Sequence, residues 1–439
     1  MKIFTFFTGK TILIGIFILA ICGISSAEVL TLDQSVNLAL KNNYGLIAAH
    51  NSYDASQGNL YAAWGTLAPT LTASALGAKN WAGFERTDPI TGQPTSGAQT
   101  TVGYTGSLAL QQSYPGLGIG TYAALRRSYH DKNSFYYAYS SARSSLIQSV
   151  KSSYYSALRS KMLVAVDSEA VKRSDERLRV TQSRYDLGSA AMSDVLRAKV
   201  QLATDQLSLV SDANAYLSAL ANLAYIIGVS VTQPFDITDR LPEVKSDVSF
   251  EGALAEALTQ NPDYRKAQFD YYSSKDAALS AYSNNLPSLS LSLSHGTSVP
   301  SAGQLFDFKK SHASYSFRAG LTFNIFNGFS DYANARAAND RSKTANENLK
   351  NTKNSVALFI RQAFLDIQKA DQERQLSDQS VASAQEDYNL VKEKYDLGAA
   401  AILDLLDAEV ALKQAQISQV QALFDYNLAV ANLDRAMGK

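Results

Sequence analysis

The segment Lys394–Gly438 reads KYDLGAAAILDLLDAEVALKQAQISQVQALFDYNLAVANLDRAMG, and the segment Arg184–Gly228 reads RYDLGSAAMSDVLRAKVQLATDQLSLVSDANAYLSALANLAYIIG. The two segments align without a gap at an offset of 210 residues, and about 20 of the 45 positions are identical. Such self-similarity indicates that one structural unit occurs twice in the chain. In each copy a Tyr-Asp-Leu-Gly turn precedes an Ala-rich helical pattern, which predicts a helical hairpin.

The repeat extends over almost the whole chain. Residues 30–43 align with residues 248–261, and Pro69 pairs with Pro287 at the same offset of 218. We therefore divide the sequence into a first repeat at 28–228 and a second repeat at 248–439, joined by a linker at 229–247. The linker contains Pro234 and Pro242, which predict irregular structure.

The composition excludes several classes of protein. Among 439 residues, 40 Lys and Arg balance 40 Asp and Glu, and 46% are hydrophobic, which argues against a basic nucleic-acid binder and a disordered chain. The one cysteine, Cys22, excludes a disulfide framework and a cysteine zinc site. Four His and four Met supply few other metal ligands. We expect no metal, no cofactor and no nucleic-acid partner.

The N-terminus has the pattern of a targeting segment. Lys2 and Lys10 are basic, Thr11–Ile21 is apolar, and small residues precede Glu28. This pattern predicts a signal peptide at 1–27 and an exported protein. Two alternatives stay open: an uncleaved membrane anchor, or lipid attached to Cys22, since Leu19-Ala-Ile-Cys22 is partly lipobox-like.

Two stretches in each repeat alternate with a period of two. Ser288–Ser294 alternates Ser with Leu, Tyr315–Ile325 alternates apolar with polar residues, and 70–75 and 101–111 do so less regularly. We predict amphipathic strand pairs at about 69–115 and 287–326, with polar connections at 85–97 and 296–310. The apolar face is expected to contact lipid through Leu289, Leu291, Leu293, Phe317, Leu321 and Phe323. The polar face is expected to line a water-filled lumen through Ser290, Ser292 and Thr322.

Long helices flank the strands. Residues 31–67 and 249–284 are helical in pattern, and about 65 residues without proline follow the glycines after each strand pair. At ~1.5 Å per residue such a helix is about 100 Å long. A second helix returns to Gly228 or Gly438, so we predict long helical hairpins at 116–228 and 328–438.

Four strands per chain cannot close a membrane barrel, because closed barrels have about eight or more strands and an open edge cannot face lipid. Three copies would supply twelve strands and would continue the barrel as a hollow cylinder of helices. The predicted fold class is a mixed α and β membrane protein. Long α-helices form a periplasmic helical tunnel, and four β-strands per chain contribute to a trimeric 12-stranded outer-membrane barrel.

Several features together resemble the TolC-type outer membrane efflux proteins. These features are the leader, the two repeats, the Phe326-Asn327-Gly328 junction between strand and helix, and the twin Tyr-x-x-Gly…Asp-Val/Leu-Leu hairpins, and they cover essentially all of 28–439. The resemblance implies a homotrimeric channel in outer-membrane lipid, docked on a periplasmic membrane-fusion adaptor and an inner-membrane pump of the RND, ABC or MFS type. It implies export of small molecules or proteins and no enzymatic activity.

The resemblance also assigns the hairpin ends to the periplasmic aperture. It implies gating roles for Asp194, Tyr395, Asp404 and Asp407, with Tyr395 within reach of Asp194. Asp404 and Asp407 lie one helical turn apart, so three copies would form carboxylate rings that attract cations. The alternative for Asp194 and Asp404 is that each stabilises the start of its own helix.

Two further expectations concern the same ends. The helix-turn tips expected to contact the adaptor are Tyr185, Leu187, Gly188, Leu397 and Gly398. Ala400, two residues after Gly398, occupies a position where a member of the family that the chain resembles has Arg. The resemblance then implies either that the arginine link at the entrance is missing, or that Lys392, Lys394 or Arg184 replaces it.

The remaining function classes are a passive outer-membrane pore and a periplasmic coiled-coil scaffold. A pore does not need helices longer than the membrane is thick, and a scaffold does not need alternating strands. A barrel lipase lacks its Gly-x-Ser-x-Gly motif here. Gly116-Leu-Gly118 lacks the context of a phosphate loop, and His295 and His312 are interpreted as isolated polar residues rather than metal ligands.

Overall fold

The computed structural model describes residues 28–232, 234–238, 249–305 and 313–439, without the side chains of Glu28 and Phe84. The predicted signal peptide at 1–27, residues 233 and 239–247 of the linker, and His312 lie outside the described residues. The interpretation of these segments therefore stays a prediction. In the described part of the linker, the prediction of irregular structure is wrong for Phe235–Ile237, which form a short strand because they pair with Glu28–Leu30.

The two repeats contain the same order of elements. The first consists of β1 (Glu28–Leu30), α1 (Leu32–Asn42), α2 (Tyr44–Gly65), β2 (Thr70–Thr87), β3 (Pro94–Tyr114), α3 (Ile119–Asp186) and α4 (Met192–Ile227). The second consists of β4 (Phe235–Ile237), α5 (Phe250–Gln260), α6 (Pro262–Ser283), β5 (Ser288–Val299), β6 (Ala313–Thr322), α7 (Ser330–Asp396) and α8 (Ile402–Met437). The predicted long helices are present: α3 has 68 residues and α7 has 67.

An asparagine divides the first helical segment of each repeat. Asn43 caps α2 by accepting the Leu46 N–H, and its amide donates to the Ile226 carbonyl in α4 at 3.0 Å. Asn261 does the same in the second repeat, capping α6 and donating to the Ala436 carbonyl at 2.9 Å. This break was not predicted, because one asparagine inside a helical pattern does not reveal that its side chain will serve as a cap.

The end of each hairpin packs against that asparagine. Gly228 has φ +74°, and a Cβ added there would lie 2.8 Å from the Asn42 carbonyl oxygen. Gly438 has φ +91°, and a Cβ added there would be similarly close to the backbone of Gln260 and Asn261. Glycine is needed at both ends, because the conformation is left-handed and the neighbouring backbone leaves no room for a side chain.

The predicted strands form one antiparallel sheet in the order β2-β3-β5-β6. Leu289 pairs with Leu321, Leu293 with Phe317, and Leu110 with Leu293, so these side chains share one face. Ser290 pairs with Gly320 and Ser292 with Arg318 on the opposite face. The predicted division into an apolar and a polar face is therefore confirmed for the strand residues. β2 and β6 are the outer strands of this sheet.

Four predicted strand limits are wrong. The connection predicted at 85–97 is largely strand, because β2 continues to Thr87 and β3 starts at Pro94. Backbone pairing there continues beyond the apolar alternation, and the Asp88 N–H donates to the Gln93 carbonyl at 3.0 Å to close the hairpin. β5 likewise continues to Val299, whereas β6 ends at Thr322, before Phe323. Alternation of apolar and polar residues indicates which side chains are buried, not how far the backbone pairing of two strands extends. The ends of these strands were therefore predicted at the wrong residues.

The helical part has two cores between the repeats and one within the second repeat. One core lies beside the parallel pair β1–β4, where Tyr154 is buried and its hydroxyl contacts Leu30 and Thr238. Another joins α5 to α7 and α8 around Ile360 and Leu433, and a third lies near the hairpin ends. Among the residues that the structure describes, no helix is both long and apolar enough to cross a lipid bilayer.

Candidate functional site

Both helical hairpins turn with the same backbone geometry. Gly188 has φ +74°; its N–H donates to the Tyr185 carbonyl at 2.8 Å, and the Ser189 N–H donates to the Arg184 carbonyl at 2.8 Å. Gly398 and Ala399 repeat these bonds to Tyr395 and Lys394. This double bond pattern is a Schellman motif, which ends a helix while satisfying its last carbonyls. The sequence predicted the turns from their glycines.

Each turn exposes a leucine at its outermost point. Leu187 is 83% exposed and Leu397 is 85% exposed, and Gly188 and Gly398 beside them are also exposed. Tyr185 is half-buried one turn earlier. The chain thus exposes two leucine side chains at its two hairpin turns, where the adaptor contact was predicted.

Asp194 and Asp404 have the same local role. The Asp404 carboxylate accepts the Ala401 N–H at 3.0 Å, and the Asp194 carboxylate accepts the Ala191 N–H at 3.4 Å. Each therefore stabilises the start of its own helix, as the alternative interpretation expected. Asp404 and Asp407 are both exposed in the single chain. Stabilising the start of the helix is therefore compatible with the predicted role in a carboxylate ring.

The expected contact between Tyr395 and Asp194 is wrong for the single chain. Tyr395 is buried, and its hydroxyl lies 3.3 Å from the Thr181 hydroxyl on α3. The Asp194 carboxylate contacts only its own helix start among the described residues. Tyr395 points back along α3, toward residues before the turn, because helical side chains lean toward the N-terminus of their helix.

Arg184 joins the ends of the two hairpins. Its guanidinium lies 4.5 Å from the centre of the Tyr395 ring and donates to the Tyr395 carbonyl at 3.1 Å. It also lies 3.6 Å from the Asp396 carboxylate. In the part of the chain that the structure describes, Lys392 and Lys394 have no such ion pair. Of these three residues, Arg184 is the one that contacts the end of the other hairpin in the described part of the chain.

Sequence analysis missed the charged residues further along the same helices. Arg177 is buried and ion-pairs with Glu409 of α8. Burial lowers the pKa of Arg177 to about 10, so its guanidinium stays charged at neutral pH. Arg177, Thr181 and Arg184 follow each other at helical spacing, which is the signal that could have identified this face of α3.

A second charged group joins the repeats deeper in the bundle. Lys413 of α8 lies 2.9 Å from the Asp167 carboxylate of α3 and 3.1 Å from the Asp205 carboxylate of α4. Both aspartates are almost completely buried. Across the described ranges, no group of three or more His, Cys, Asp or Glu side chains is arranged to hold a metal ion. Lysine is therefore the counter-charge at this joint.

The chain matches known proteins over nearly its full length. A family model described as outer membrane efflux protein matches residues 35–229 and 253–439. The pyoverdine export outer membrane protein OpmQ of Pseudomonas aeruginosa is 25% identical over 425 residues, covering 93% of this chain and 85% of that protein. Outer membrane protein TolC of Escherichia coli is 23% identical over 311 residues, covering 68% of this chain and 62% of TolC.

Solved structures share the fold. The outer-membrane channel OprN is 20% identical with a TM-score of 0.82, covering 93% of this chain and 89% of OprN. The Campylobacter jejuni CmeC outer membrane channel is also 20% identical with a TM-score of 0.82, covering 93% of this chain and 85% of CmeC. At this identity the likeness establishes the architecture alone. Some matches are partial: the OpmQ of Pseudomonas putida is aligned over 62% of its length.

Proposed function

This chain belongs to the outer membrane efflux protein family, and from that premise we propose that it forms a homotrimeric channel-tunnel in the outer membrane. The channel exports small molecules or proteins together with a periplasmic membrane-fusion adaptor and an inner-membrane pump of the RND, ABC or MFS type. The family and the fold are those of channel proteins.

The open sheet carries this proposal. Its outer strands β2 and β6 each leave one row of backbone groups without a neighbouring strand. Unpaired backbone groups cost several kcal/mol each in hydrocarbon, so a four-stranded sheet cannot lie in lipid alone. Pairing β6 of one copy with β2 of the next removes every edge when three copies close a ring of twelve strands.

The helices carry matching unpaired surfaces. An apolar seam runs along α4, where the exposed residues are Leu196, Val200, Leu207, Val210 and Leu217. A second seam runs along α7, where the exposed residues are Leu358, Leu365, Leu376 and Leu390. Leu196, Val210 and Leu217 recur at multiples of seven, which is the spacing of a coiled-coil interface. We propose that α4 of one copy packs against α7 of the next.

The hairpin ends form the periplasmic entrance in this proposal. Threefold symmetry repeats Asp404 and Asp407 as two carboxylate rings around the axis, and such rings favour cations. Tyr395 with Thr181 and Arg184 holds each second hairpin against the first in the resting state. Asp194 contributes at the start of α4. The tips at Tyr185, Leu187, Gly188, Leu397 and Gly398 contact the adaptor.

The assembly is tested by measuring the mass of the detergent-solubilised protein. Purification in mild detergent followed by native mass spectrometry should give about three times the mass of one mature chain. A stable monomer extracted from the outer membrane would contradict the proposal, because its sheet would then keep two open edges in lipid.

A further inference from the structure

We propose that the cavity between α3, α7 and α8 near the hairpin end binds a small oxyanion, a phosphate or a carboxylate. The cavity measures about 230 Å³ and includes Arg173 and Arg177 of α3, Lys392 of α7, and Glu409 of α8 in its lining. Arg177 lies nine residues before the end of α3, about 14 Å from the turn.

The buried guanidinium of Arg177 is the main reason. The Arg177 side chain is 4% exposed, and one edge of its guanidinium faces Glu409. Its Nε and Nη1 atoms are buried and have no hydrogen-bond partner among the described residues. Buried donors are normally satisfied, and leaving them unpaired is costly. An oxyanion in the cavity would accept a charge-assisted hydrogen bond from one of these unpaired donors.

The cations at the mouth of the cavity point to the same ligand. Arg173 has a buried Nε without a partner, and neither Arg173 nor Lys392 has an ion pair among the described residues. The acids that line the cavity are already paired: Glu176 with Arg179, Asp396 with Arg184 and Glu409 with Arg177. Lys392 acts on the Glu176 carboxylate and Arg173 on that of Glu169 only through space, without a close ion pair. An anion in the cavity would supply both cations with a nearer counter-charge.

The position of the cavity follows from the geometry of α8. Leu405 and Glu409 line the cavity, whereas Asp404 and Asp407 do not. Glu409 is five positions after Asp404 on α8, so their side chains lie about 140° apart around the helix axis. If Asp404 and Asp407 face the bore, as the proposed function states, the cavity opens on the outer, periplasmic wall. A bound anion would there tie α3 of the first repeat to α7 and α8 of the second.

Calorimetric titration of the purified full-length protein with inorganic phosphate tests the proposal. Sodium chloride is added to keep the ionic strength constant, so that general screening does not imitate binding. We expect saturable binding of one phosphate per chain. Arg173→Gln with Lys392→Gln should weaken it by about tenfold or more, since two charge-assisted contacts are lost. The control Lys343→Gln with Lys369→Gln removes two exposed charges from α7 outside the cavity and should change the affinity less than about twofold.

A second variant addresses the buried pair. Arg177→Gln with Glu409→Gln removes the guanidinium without leaving an unpaired buried carboxylate, so the helical circular dichroism should be retained. Phosphate binding should be lost. Absence of saturable binding to the wild-type protein, or equal weakening in the exposed-lysine control, would overturn the proposal. The calorimetric assay measures phosphate binding and depends on neither export nor conductance. The oxyanion site and the channel function can therefore be refuted independently of each other.

Discussion

Arg184 joins the two helical hairpins at their ends through one guanidinium group. It stacks on the Tyr395 ring, donates to the Tyr395 carbonyl and lies near the Asp396 carboxylate. If the proposed entrance opens by separation of the first and second hairpins, each of these contacts would have to break. In a trimer the three copies of Arg184 would act together on the same aperture.

Replacing Arg184 by alanine should therefore increase the resting conductance. Loss of the charged contact weakens the closed arrangement by about 1–2 kcal/mol per copy. Single-channel recording in planar bilayers measures the effect. Arg179→Ala is the matched control, because Arg179 lies on the same helix and pairs with Glu176 of its own helix. A conductance equal in wild type and Arg184→Ala would remove Arg184 from the gate.

Asp404 and Asp407 should determine the ion preference of the entrance. Asp404→Asn with Asp407→Asn removes two charges per chain, six per trimer, so cation selectivity should fall. Asparagine retains a side-chain oxygen that can accept the Ala401 N–H, which keeps the start of α8 intact. Reversal potentials in a salt gradient report the selectivity. The control Asp340→Asn with Glu347→Gln alters exposed acids elsewhere on α7 and should leave it unchanged.

The sequence contained the residues of this entrance but not all their contacts. Spacing placed Asp404 and Asp407 one turn apart, and the turn glycines placed Tyr395 at the hairpin end. The partner of Tyr395 was wrong, since contacts across two long helices depend on their relative rotation. That rotation accumulates over many turns and cannot be calculated from spacing alone. Arg177 and Glu409 were missed for the same reason.

At the scale of the elements, buried charges fix how α3, α4 and α8 pack. Lys413 lies between the buried carboxylates of Asp167 and Asp205. Asp212 of α4 belongs to the same group: burial and then the nearby Asp167 raise its pKa, while Lys413 and Arg159 oppose the shift. A carboxyl group with a raised pKa in the folded state holds its proton to higher pH than it does in the unfolded chain.

This shift predicts a pH dependence of stability. The folded protein binds the Asp212 proton more tightly than the unfolded chain, so the stabilisation is complete below the unfolded value near 3.8 and is lost as pH rises through the raised pKa. Asp212→Asn should therefore be less sensitive to pH from about pH 4 upward and more stable than wild type near pH 7. Thermal unfolding followed by circular dichroism measures both. A wild-type advantage at pH 7 would contradict the assignment.

Strand ends and helix breaks show what element-level patterns leave out. Alternation identified β5 and β6 and their two faces, because Leu289, Leu291 and Leu293 pair with apolar residues of β6 on one face. It gave wrong ends for β2 and β3, whose pairing continues through exposed polar residues. The breaks at Asn43 and Asn261 depend on bonds to Ile226 and Ala436, which are more than 170 residues away along the chain. Contacts of that separation are not encoded in local patterns.

At the scale of the whole molecule, one chain is incomplete in two places at once. Its sheet ends in the outer strands β2 and β6, and its helices expose the apolar seams of α4 and α7. Both deficits would be removed by the same threefold assembly, because a rotation that pairs β6 with β2 also brings α7 beside α4. The open sheet edges and the apolar helix seams are separate surfaces, and both are explained by threefold symmetry. Together they support a trimer more strongly than one of them would.

The α4 seam provides the test of this assembly. In Val200→Glu with Leu207→Glu, each carboxylate would be buried against the neighbouring copy at a cost of about 3 kcal/mol or more. The trimer should then dissociate at a lower temperature than wild type, as measured by native mass spectrometry after heating in mild detergent. Val200→Ala with Leu207→Ala shortens the same side chains without introducing charge and should have a smaller effect, because no carboxylate is then buried. Equal dissociation temperatures for wild type and the seam variant would show that α4 faces solvent in the assembly, and the closed sheet alone would then have to hold three chains together.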